Sequence, residues 1–204
     1  MKGLLLLSSG IDSPVAGYLM KKKGVELIAL HFDNKPYTND KPLEITKKLC
    51  NILDIKKLII VNQGKNHTEF LKNCTMKYKC ILCRRMMFKI AEEVAKQHDC
   101  EFLITGESLA QVASQTGQNL VTTRTGIKIP ILTPVLGNDK QEIVNIAIKI
   151  GTYETSTEPT MCCMAVPPNP ATKAHVNNIL REEAKVEWQN LIETSVKESK
   201  TIDF

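Results

Sequence analysis

The chain has 204 residues, of which 43% are hydrophobic and 24% are charged, and its formal net charge is +5. These values are ordinary for a globular protein and exclude disordered, fibrous and collagen-like classes. The longest apolar run is too short to cross a bilayer, and the first residues lack the pattern of a secretory signal, so we expect a cytoplasmic protein without membrane contact. The length predicts one domain over residues 1–172, followed by a C-terminal helix over 173–204 that packs on it.

Short runs rich in Leu, Ile and Val alternate with segments of helical period, which predicts repeated βαβ units. The predicted strands, in chain order, are residues 3–7, 26–31, 57–61, 101–105 and 129–132. Their near-continuous apolarity is typical of strands that are covered on both faces. The predicted fold class is therefore α/β, with a doubly wound, mostly parallel sheet of about five strands and helices on both faces.

Helical segments follow several of these strands. The first has Pro14 in its first turn, the second covers residues 83–97, and the third begins after Asp139, a good N-cap residue. Residues 154–171 contain prolines and two adjacent cysteines without periodicity, which indicates an ordered functional loop. Residues 175–200 predict a single charged amphipathic helix.

The turn between the first strand and the first helix reads Ser8-Ser9-Gly10-Ile11-Asp12-Ser13. A strand, a glycine-containing turn and a helix N-terminus together present backbone N–H groups to a phosphate. The turn matches neither the Walker P-loop nor the dinucleotide-binding GxGxxG. Gly10 is expected to keep the turn tight, the hydroxyl groups of Ser8, Ser9 and Ser13 to act as hydrogen-bond donors, and Asp12 to help bind Mg²⁺. The alternative is an ordinary capped helix, with Asp12 or Ser13 as the N-cap.

This turn resembles the SGGxDS signature of the PP-loop ATP pyrophosphatases, with Ser9 where that family usually has glycine. Further stretches resemble one branch of the superfamily, the tRNA 4-thiouridine synthetases. They are HFDNKPYTND from His31, CRRMM from Cys83, TGESLAQVASQT from Thr105 and DKQEIVNIAIKIGTYETS from Asp139. In this order the motifs cover almost the whole chain from Leu4 to Thr172.

The resemblance implies that the domain binds ATP. The residues it assigns to the nucleotide are Leu6, Leu7, Ser8, Gly10, Asp12, Ser13, His31, Phe32, Arg84, Gly106 and Gln115. The backbone of the two leucines would read the adenine edge, with the His-Phe pair packed on it, at the carboxyl edge of the sheet. Arg84 would reach the phosphates, Gly106 would let the nucleotide approach the backbone, and Gln115 would bond to it from the following helix.

Asp12 and Lys140 are the predicted catalytic groups for ATP chemistry. The lysine matches the family's functional lysine and is suited to charge that develops on the α-phosphate. Taken singly, these side chains have ordinary structural interpretations: Phe32 as core, Arg84 and Lys140 as solvated helix charges, and Gln115 as part of a polar face.

Seven cysteines, an odd number, favour thiol chemistry or metal ligation over a disulfide framework. Cys80 and Cys83 form a CxxC pair, and Cys163 lies on the proline-rich loop. Three thiolates are one short of a closed structural zinc site. They could hold a [4Fe–4S] or [3Fe–4S] cluster with one open iron, as the resemblance implies, with Cys163 also catalytic and Cys162 the alternate third ligand. A redox disulfide with a persulfide-bearing cysteine, as in relatives with a rhodanese domain, is the competing interpretation.

The remaining cysteines are less informative: Cys50 and Cys100 are interpreted as buried small hydrophobes, and Cys74 stays undecided. Family members usually carry an N-terminal region with a THUMP domain, which the printed sequence does not include. RNA contact is then expected from a separate THUMP-containing subunit or from basic patches. The candidate patches are Lys21 to Lys23, Lys47 with Lys48, and Lys77, Lys79, Arg84 and Arg85.

The predicted function is ATP-dependent sulfur transfer to a uridine base in tRNA, giving 4-thiouridine with release of AMP and pyrophosphate. Two alternatives stay open: a PP-loop ligase or amidotransferase that adenylates a small molecule, and a non-catalytic RNA-binding or scaffold subunit. Asp12 with Lys140 argues against the scaffold, and the CxxC with Cys163 argues against the ligase. The sulfur donor is undetermined, and a homodimer is left open.

Overall fold

The computed structural model describes residues 1–109, 112–161 and 163–204. Its strands are β1 (Lys2–Leu6), β2 (Glu26–Asp33), β3 (Lys57–Asn62), β4 (Phe102–Ile104), β5 (Ile131–Leu132) and β6 (Lys200–Asp203). They form one six-stranded sheet in the order β5-β4-β1-β2-β3-β6, in which β6 alone is antiparallel to its neighbour. The predicted fold class is confirmed, with a sixth strand beyond the predicted five.

Helices connect the strands and cover both faces of the sheet. They are α1 (Asp12–Lys21), α2 (Lys41–Ile52), α3 (Gly64–Asn73), α4 (Lys79–Gln97), α5 (Gly117–Arg124), α6 (Lys140–Lys149), α7 (Tyr153–Ser156), α8 (Val176–Glu183) and α9 (Trp188–Lys197). Short 3₁₀ turns precede α4 and α5. None of the helices in the described ranges is long and apolar enough to span a membrane.

Period-two alternation divides the core into two layers. Leu4 belongs to the layer that packs under α4, α8 and α9, and its neighbour Leu5 belongs to the layer under α1, α2 and α6. Both leucines are fully buried. Burial of the sheet on both faces explains why the strands read as continuous apolar runs.

The strand order reverses at β1, because β2 and β3 lie on one side of it and β4 and β5 on the other. In open parallel sheets the crevice at such a switch point is where ligands bind. Residues 8–13, which we call the serine loop, follow β1, and residues 105–109 follow β4, so the topology brings these two segments together.

The C-terminal prediction was wrong in one respect. Residues 175–200 form two helices, α8 and α9, with a break at Ala184 to Glu187, and the chain then adds β6 to the edge of the sheet. Backbone pairing of β6 with β3 covers a strand that would otherwise leave its edge exposed. The capping prediction at Asp139 is confirmed, since its side chain accepts from the N–H of Glu142 in a full capping box.

Candidate functional site: two cavities at the carboxyl edge of the sheet

The serine loop is closed by hydrogen bonds between its two ends. The Ser8 N–H donates to Ser13 Oγ at 2.9 Å, and the two hydroxyl oxygens lie 3.0 Å apart. The Gly10 N–H donates to Ser8 Oγ at 3.3 Å. The two ends of the loop are therefore joined by its own serines, and the Ser156 hydroxyl of α7 donates to the Gly10 carbonyl at 3.4 Å from outside the loop.

Neither Asp12 nor Ser13 caps α1. The N-cap position is Ile11, and no side chain accepts a hydrogen bond there. The alternative interpretation as an ordinary capped helix is therefore wrong. The expected steric role of Gly10 is also wrong, because its φ is not positive and an added Cβ would meet only Ser8 Oγ, at 3.6 Å.

Gly106, by contrast, is required by the fold. A Cβ at this position would lie 2.4 Å from the backbone N and 2.6 Å from the Cα of Ser13. The segment after β4 thus presses directly on the first turn of α1, and no side chain fits between them. Packing within the protein is therefore enough to explain why residue 106 is glycine. The expected approach of ATP to the backbone at Gly106 stays a prediction.

The two predicted catalytic groups meet across the loop. Lys140, the first residue of α6, places Nζ 2.6 Å from Asp12 Oδ1. The lysine side chain is 49% exposed and the aspartate 21%, so both are accessible from the site. The 128 residues that separate them in sequence are bridged because α1 and α6 pack on the same face of the sheet.

Arg84 is held by a buried carboxylate that we did not assign from the sequence. Its Nε donates to Glu107 Oε1 at 2.7 Å, and Nη2 lies 2.7 Å from the same oxygen. The other oxygen, Oε2, accepts from Arg124 Nη2 and from Thr105 Oγ1 at 3.1 Å. Burial acts to raise the pKa of Glu107, but the two guanidinium groups outweigh it and hold the pKa below its usual value.

Two adjacent cavities open at this edge of the sheet and share Leu6, Ser8 and Met87 in their walls. The serine-loop cavity, of about 180 Å³, is lined by predicted phosphate-side residues: Ser8, Gly10, Asp12, Ser13, Arg84, Gly106 and Gln115. The thiol cavity, of about 300 Å³, is lined by Leu6, Leu7, His31, Phe32, Cys83 and Cys163 among others. Gln115 lies in the 3₁₀ turn before α5 rather than in that helix. Lys140 does not line either cavity and reaches the site through Asp12.

The predicted adenine contacts are only partly available. The Leu7 N–H donates to the Leu30 carbonyl at 2.9 Å, and the Leu7 carbonyl lies 3.0 Å from His31 Nδ1. Because the sheet occupies the Leu7 N–H, this group does not donate to adenine in this structure. Burial lowers the pKa of His31, although the hydrogen bond to Leu7 and the charge of Asp33 act to raise it, so the ring is neutral. Because the Leu7 carbonyl can only accept, the proton is on Nδ1. Phe32 is largely buried in the core and lines the cavity wall.

The predicted sulfur residues converge on the thiol cavity. Cys83, near the start of α4, and Cys163, on the proline-rich loop, line this cavity. Cys80, one turn before Cys83, does not line it, and all three thiols are free. Cys83 Sγ and Cys163 Sγ lie 3.9 and 4.0 Å from His67 Nε2. Burial raises the pKa of Cys83 to about 11 and also raises that of Cys80. Cys162, the alternate ligand, lies outside the described residues.

Cys80, Cys83 and Cys163 are the right type of ligand for an iron–sulfur cluster, but their side chains are not arranged around a common metal position. Thiolates are the usual ligands of such clusters. Within the described ranges, however, no group of three or more His, Cys, Asp or Glu side chains is placed so as to hold a metal ion. Cys50 and Cys100 are buried apolar residues as predicted, and Cys74 Sγ is half-buried, 3.6 Å from the Glu182 carbonyl.

A buried lysine lies beside the thiols. Lys79 is 2% exposed, and its Nζ lies 3.0 Å from His67 Nδ1. Burial and the Lys79 charge lower the pKa of His67 to about 3, so the neutral ring accepts from the ammonium group. His67 Nε2 is then the donor to Asn34 Oδ1, at 3.0 Å. Burial also lowers the pKa of Lys79, while the three nearby thiol groups act in the opposite direction.

This position corrects one of the predicted RNA-binding patches. Lys79 and Arg85 were assigned to a basic surface, yet both are buried. Arg85 pairs with Glu183 and donates to the Thr125 carbonyl at 2.9 Å, so it joins α4 to α5 and α8. Helical spacing could have indicated their burial, because the fully buried Leu82 lies three residues after Lys79 and three residues before Arg85.

The fold and the serine loop define an α/β domain of the PP-loop type. The family model described as "Thiamine biosynthesis protein (ThiI)" matches residues 1–188. The chain belongs to this family, and the resemblance to the tRNA 4-thiouridine synthetases is confirmed.

Similar proteins agree with this assignment. A probable tRNA sulfurtransferase of Caldanaerobacter subterraneus is 42% identical over 203 residues, covering 97% of this chain and 53% of the relative. A crystal structure of a 4-thiouridine synthetase–RNA complex with bound ATP superposes with a TM-score of 0.94 at 37% identity, over 98% of this chain and 54% of that one. The chain thus spans about half the length of the curated relatives it matches.

A more distant structure shows the fold alone. The U34-tRNA thiolase NcsA from Methanococcus maripaludis, solved with its [4Fe-4S] cluster, has a TM-score of 0.60 at 19% identity. The superposition covers 95% of this chain and 72% of the thiolase.

Proposed function

We propose that this domain catalyses ATP-dependent sulfur transfer to a uridine of tRNA, forming 4-thiouridine. The observation that carries the proposal is the adjacency of the serine-loop cavity and the thiol cavity, which share the walls Leu6, Ser8 and Met87. A base activated in the first cavity would be within reach of sulfur held in the second. The family membership and the ATP named for the structural relative support this choice.

In the proposed reaction the uridine O4 attacks the α-phosphate of ATP, and pyrophosphate leaves. A sulfide then adds at C4, and AMP departs with the oxygen. The N–H groups at the N-terminus of α1, and those of the serine loop other than Ser8 and Gly10, bind the phosphates, since they present partial positive charge. Lys140 stabilises the charge that develops on the α-phosphate, and Asp12, its partner at 2.6 Å, is the proposed Mg²⁺ ligand.

Two forms of sulfur delivery are compatible with the thiol cavity. The first is a [4Fe–4S] or [3Fe–4S] cluster held by Cys80, Cys83 and Cys163, which the donor type supports. The second is a persulfide carried by Cys163, which an external sulfane-sulfur donor would form and which requires no metal. Its outer sulfur would add at C4, and a thiolate of the CxxC pair would then attack Cys163 Sγ, breaking the S–S bond and leaving a disulfide. Iron and acid-labile sulfide analysis after anaerobic reconstitution separates the two, and protein that stays iron-free and colourless contradicts the cluster.

The proposed RNA partner is tRNA, and a separate THUMP-containing subunit, a homodimer and a cytoplasmic location stay predictions. Basic side chains on α2 support contact with a polyanion. Lys41 and Lys48 lie beside the proline-rich loop, where both pair with Glu158, at 2.8 and 2.7 Å. Loss of binding to unmodified tRNA on removal of these charges is the expected result in a filter-binding assay, with a steep salt dependence.

The test of ATP use compares two variants with a control. We expect Asp12→Ala and Lys140→Ala each to lower RNA-dependent pyrophosphate release by about 10²–10³-fold, as for loss of one transition-state group. Lys149→Ala, an exposed lysine at the other end of α6, serves as the control and should release pyrophosphate normally. Release that persists in both variants overturns the proposal, and release driven by ammonia with a carboxylate substrate favours the ligase alternative.

A further inference from the structure

Glu107 has the features of a residue that orients another side chain. Its carboxylate is fully buried, and both oxygens are engaged, Oε1 by Arg84 and Oε2 by Arg124 and Thr105. The guanidinium of Arg84 is therefore held by its Nε edge. Nη1, which carries two further N–H groups, has no hydrogen-bond partner among the residues that the structure describes.

The charges of this cluster do not cancel. Two guanidinium groups face one carboxylate, which leaves one net positive charge beside the serine loop. In addition, Arg124 Nε is buried without a hydrogen-bond partner in the described part of the chain. An ion pair that served stability alone would gain from neutrality and complete hydrogen bonding. This arrangement instead favours an anion in the adjoining cavity.

We propose that Glu107 is a positioning residue for ATP, an inference that rests on the proposed function. It fixes the guanidinium plane of Arg84 so that the unpaired Nη1 side faces the triphosphate in the serine-loop cavity. Arg124 is its second anchor and holds the carboxylate from the opposite side. Because a guanidinium recognises phosphate through a planar fork, loss of orientation weakens phosphate binding even when the arginine is present.

The test measures the affinity of Mg²⁺–ATP and of adenosine by isothermal titration calorimetry. Adenosine has no phosphate, so a positioning role affects only ATP. In Glu107→Gln we expect ATP affinity to fall about tenfold while adenosine affinity is unchanged. Glu93→Gln, which removes an exposed carboxylate from α4, is the control and should bind both ligands normally.

A double-mutant cycle makes the result specific. If Glu107 acts through Arg84, then Glu107→Gln should cause no further loss of ATP affinity in the Arg84→Ala background. A full additional loss there, or an equal loss of ATP and adenosine affinity in the single variant, overturns the inference. Should Glu107→Gln fail to fold, Arg124→Gln tests the same role from the second anchor, with a smaller selective loss for ATP expected and an unchanged ATP affinity contradicting it.

The outcome also separates this inference from the proposed function. Wild-type protein that binds ATP no more tightly than adenosine would contradict the phosphate role of the whole cavity. If the wild-type protein binds ATP more tightly than adenosine and Glu107→Gln shows the same ratio of affinities, only the positioning role is contradicted.

Discussion

The serine-loop cavity and the thiol cavity share a wall but differ in how they treat charge. Around the first, ionised side chains are paired yet accessible, as with Asp12 and Lys140, and the Arg84 cluster retains a net positive charge. In the second, burial raises the pKa of Cys83 to about 11, which favours a neutral thiol. The first cavity is therefore prepared for a ligand that arrives as an anion, whereas in the second the Cys83 thiol stays protonated near neutral pH even though the Lys79 ammonium acts to lower its pKa.

Replacing the thiols should affect only the second cavity. We expect Cys83→Ser and Cys163→Ser to lower formation of 4-thiouridine by at least about 10²-fold, as for loss of an essential reactive group. Pyrophosphate release should continue, because the serine loop is unchanged. Nucleoside analysis by mass spectrometry, measured beside pyrophosphate release, checks both steps.

Cys74→Ser is the matched control for these two variants, since Cys74 does not line the thiol cavity. Losing thiolation while keeping pyrophosphate release is a demanding test, because Cys83 and Cys163 line the same cavity as Leu7 and His31, which are predicted nucleotide contacts. Equal loss of both steps in Cys163→Ser would mean that the proline-rich loop shapes the nucleotide site.

Replacing Lys79 should also affect thiolation without affecting ATP use, but by a smaller factor than replacing the thiols. Its buried ammonium group can compensate an anionic sulfur, so Lys79→Met should slow thiolation about tenfold and leave pyrophosphate release unchanged. The free energy of unfolding should not fall, since a buried charge without a carboxylate partner in the described ranges is removed. Urea unfolding and the two activity assays measure these quantities.

Lys77→Met serves as the control, because Lys77 is exposed and lies only two residues away. A Lys79→Met protein that loses pyrophosphate release and thiolation to the same extent would contradict a role confined to sulfur. A variant with normal thiolation would show that the thiols need no compensation from this lysine.

The sequence predicted the strands, the serine loop and the convergence of the motifs, because continuous apolar runs and glycine-containing turns depend on local chemistry. It did not predict Glu107, since a carboxylate inside a polar loop carries no sign of burial until the topology places β4 beside β1. The sequence also did not predict the burial of Lys79 or the strand β6, for a related reason. Both depend on packing between segments far apart in sequence.

The smallest predicted effect concerns His31, which lies in the wall of the thiol cavity. Burial lowers its pKa below the ordinary value of 6.5 in the folded protein, whereas the unfolded chain takes up a proton near that value. Its contribution to stability is therefore complete above about pH 6.5 and is lost as the pH falls toward the folded-state pKa. The slope from this one group is at most about 1.4 kcal/mol per pH unit.

His31→Asn isolates this contribution, because the asparagine amide can replace the Nδ1–H donor to the Leu7 carbonyl without titrating in this range. We expect the free energy of unfolding of the variant to decrease less than that of the wild type between pH 7.5 and 5.5, measured by urea denaturation. His67, whose pKa is also lowered, leaves a residual slope in both proteins, so the difference between them reports on His31. Identical slopes would mean that the pKa of His31 is the same in the folded and the unfolded protein, which would contradict the effect of burial.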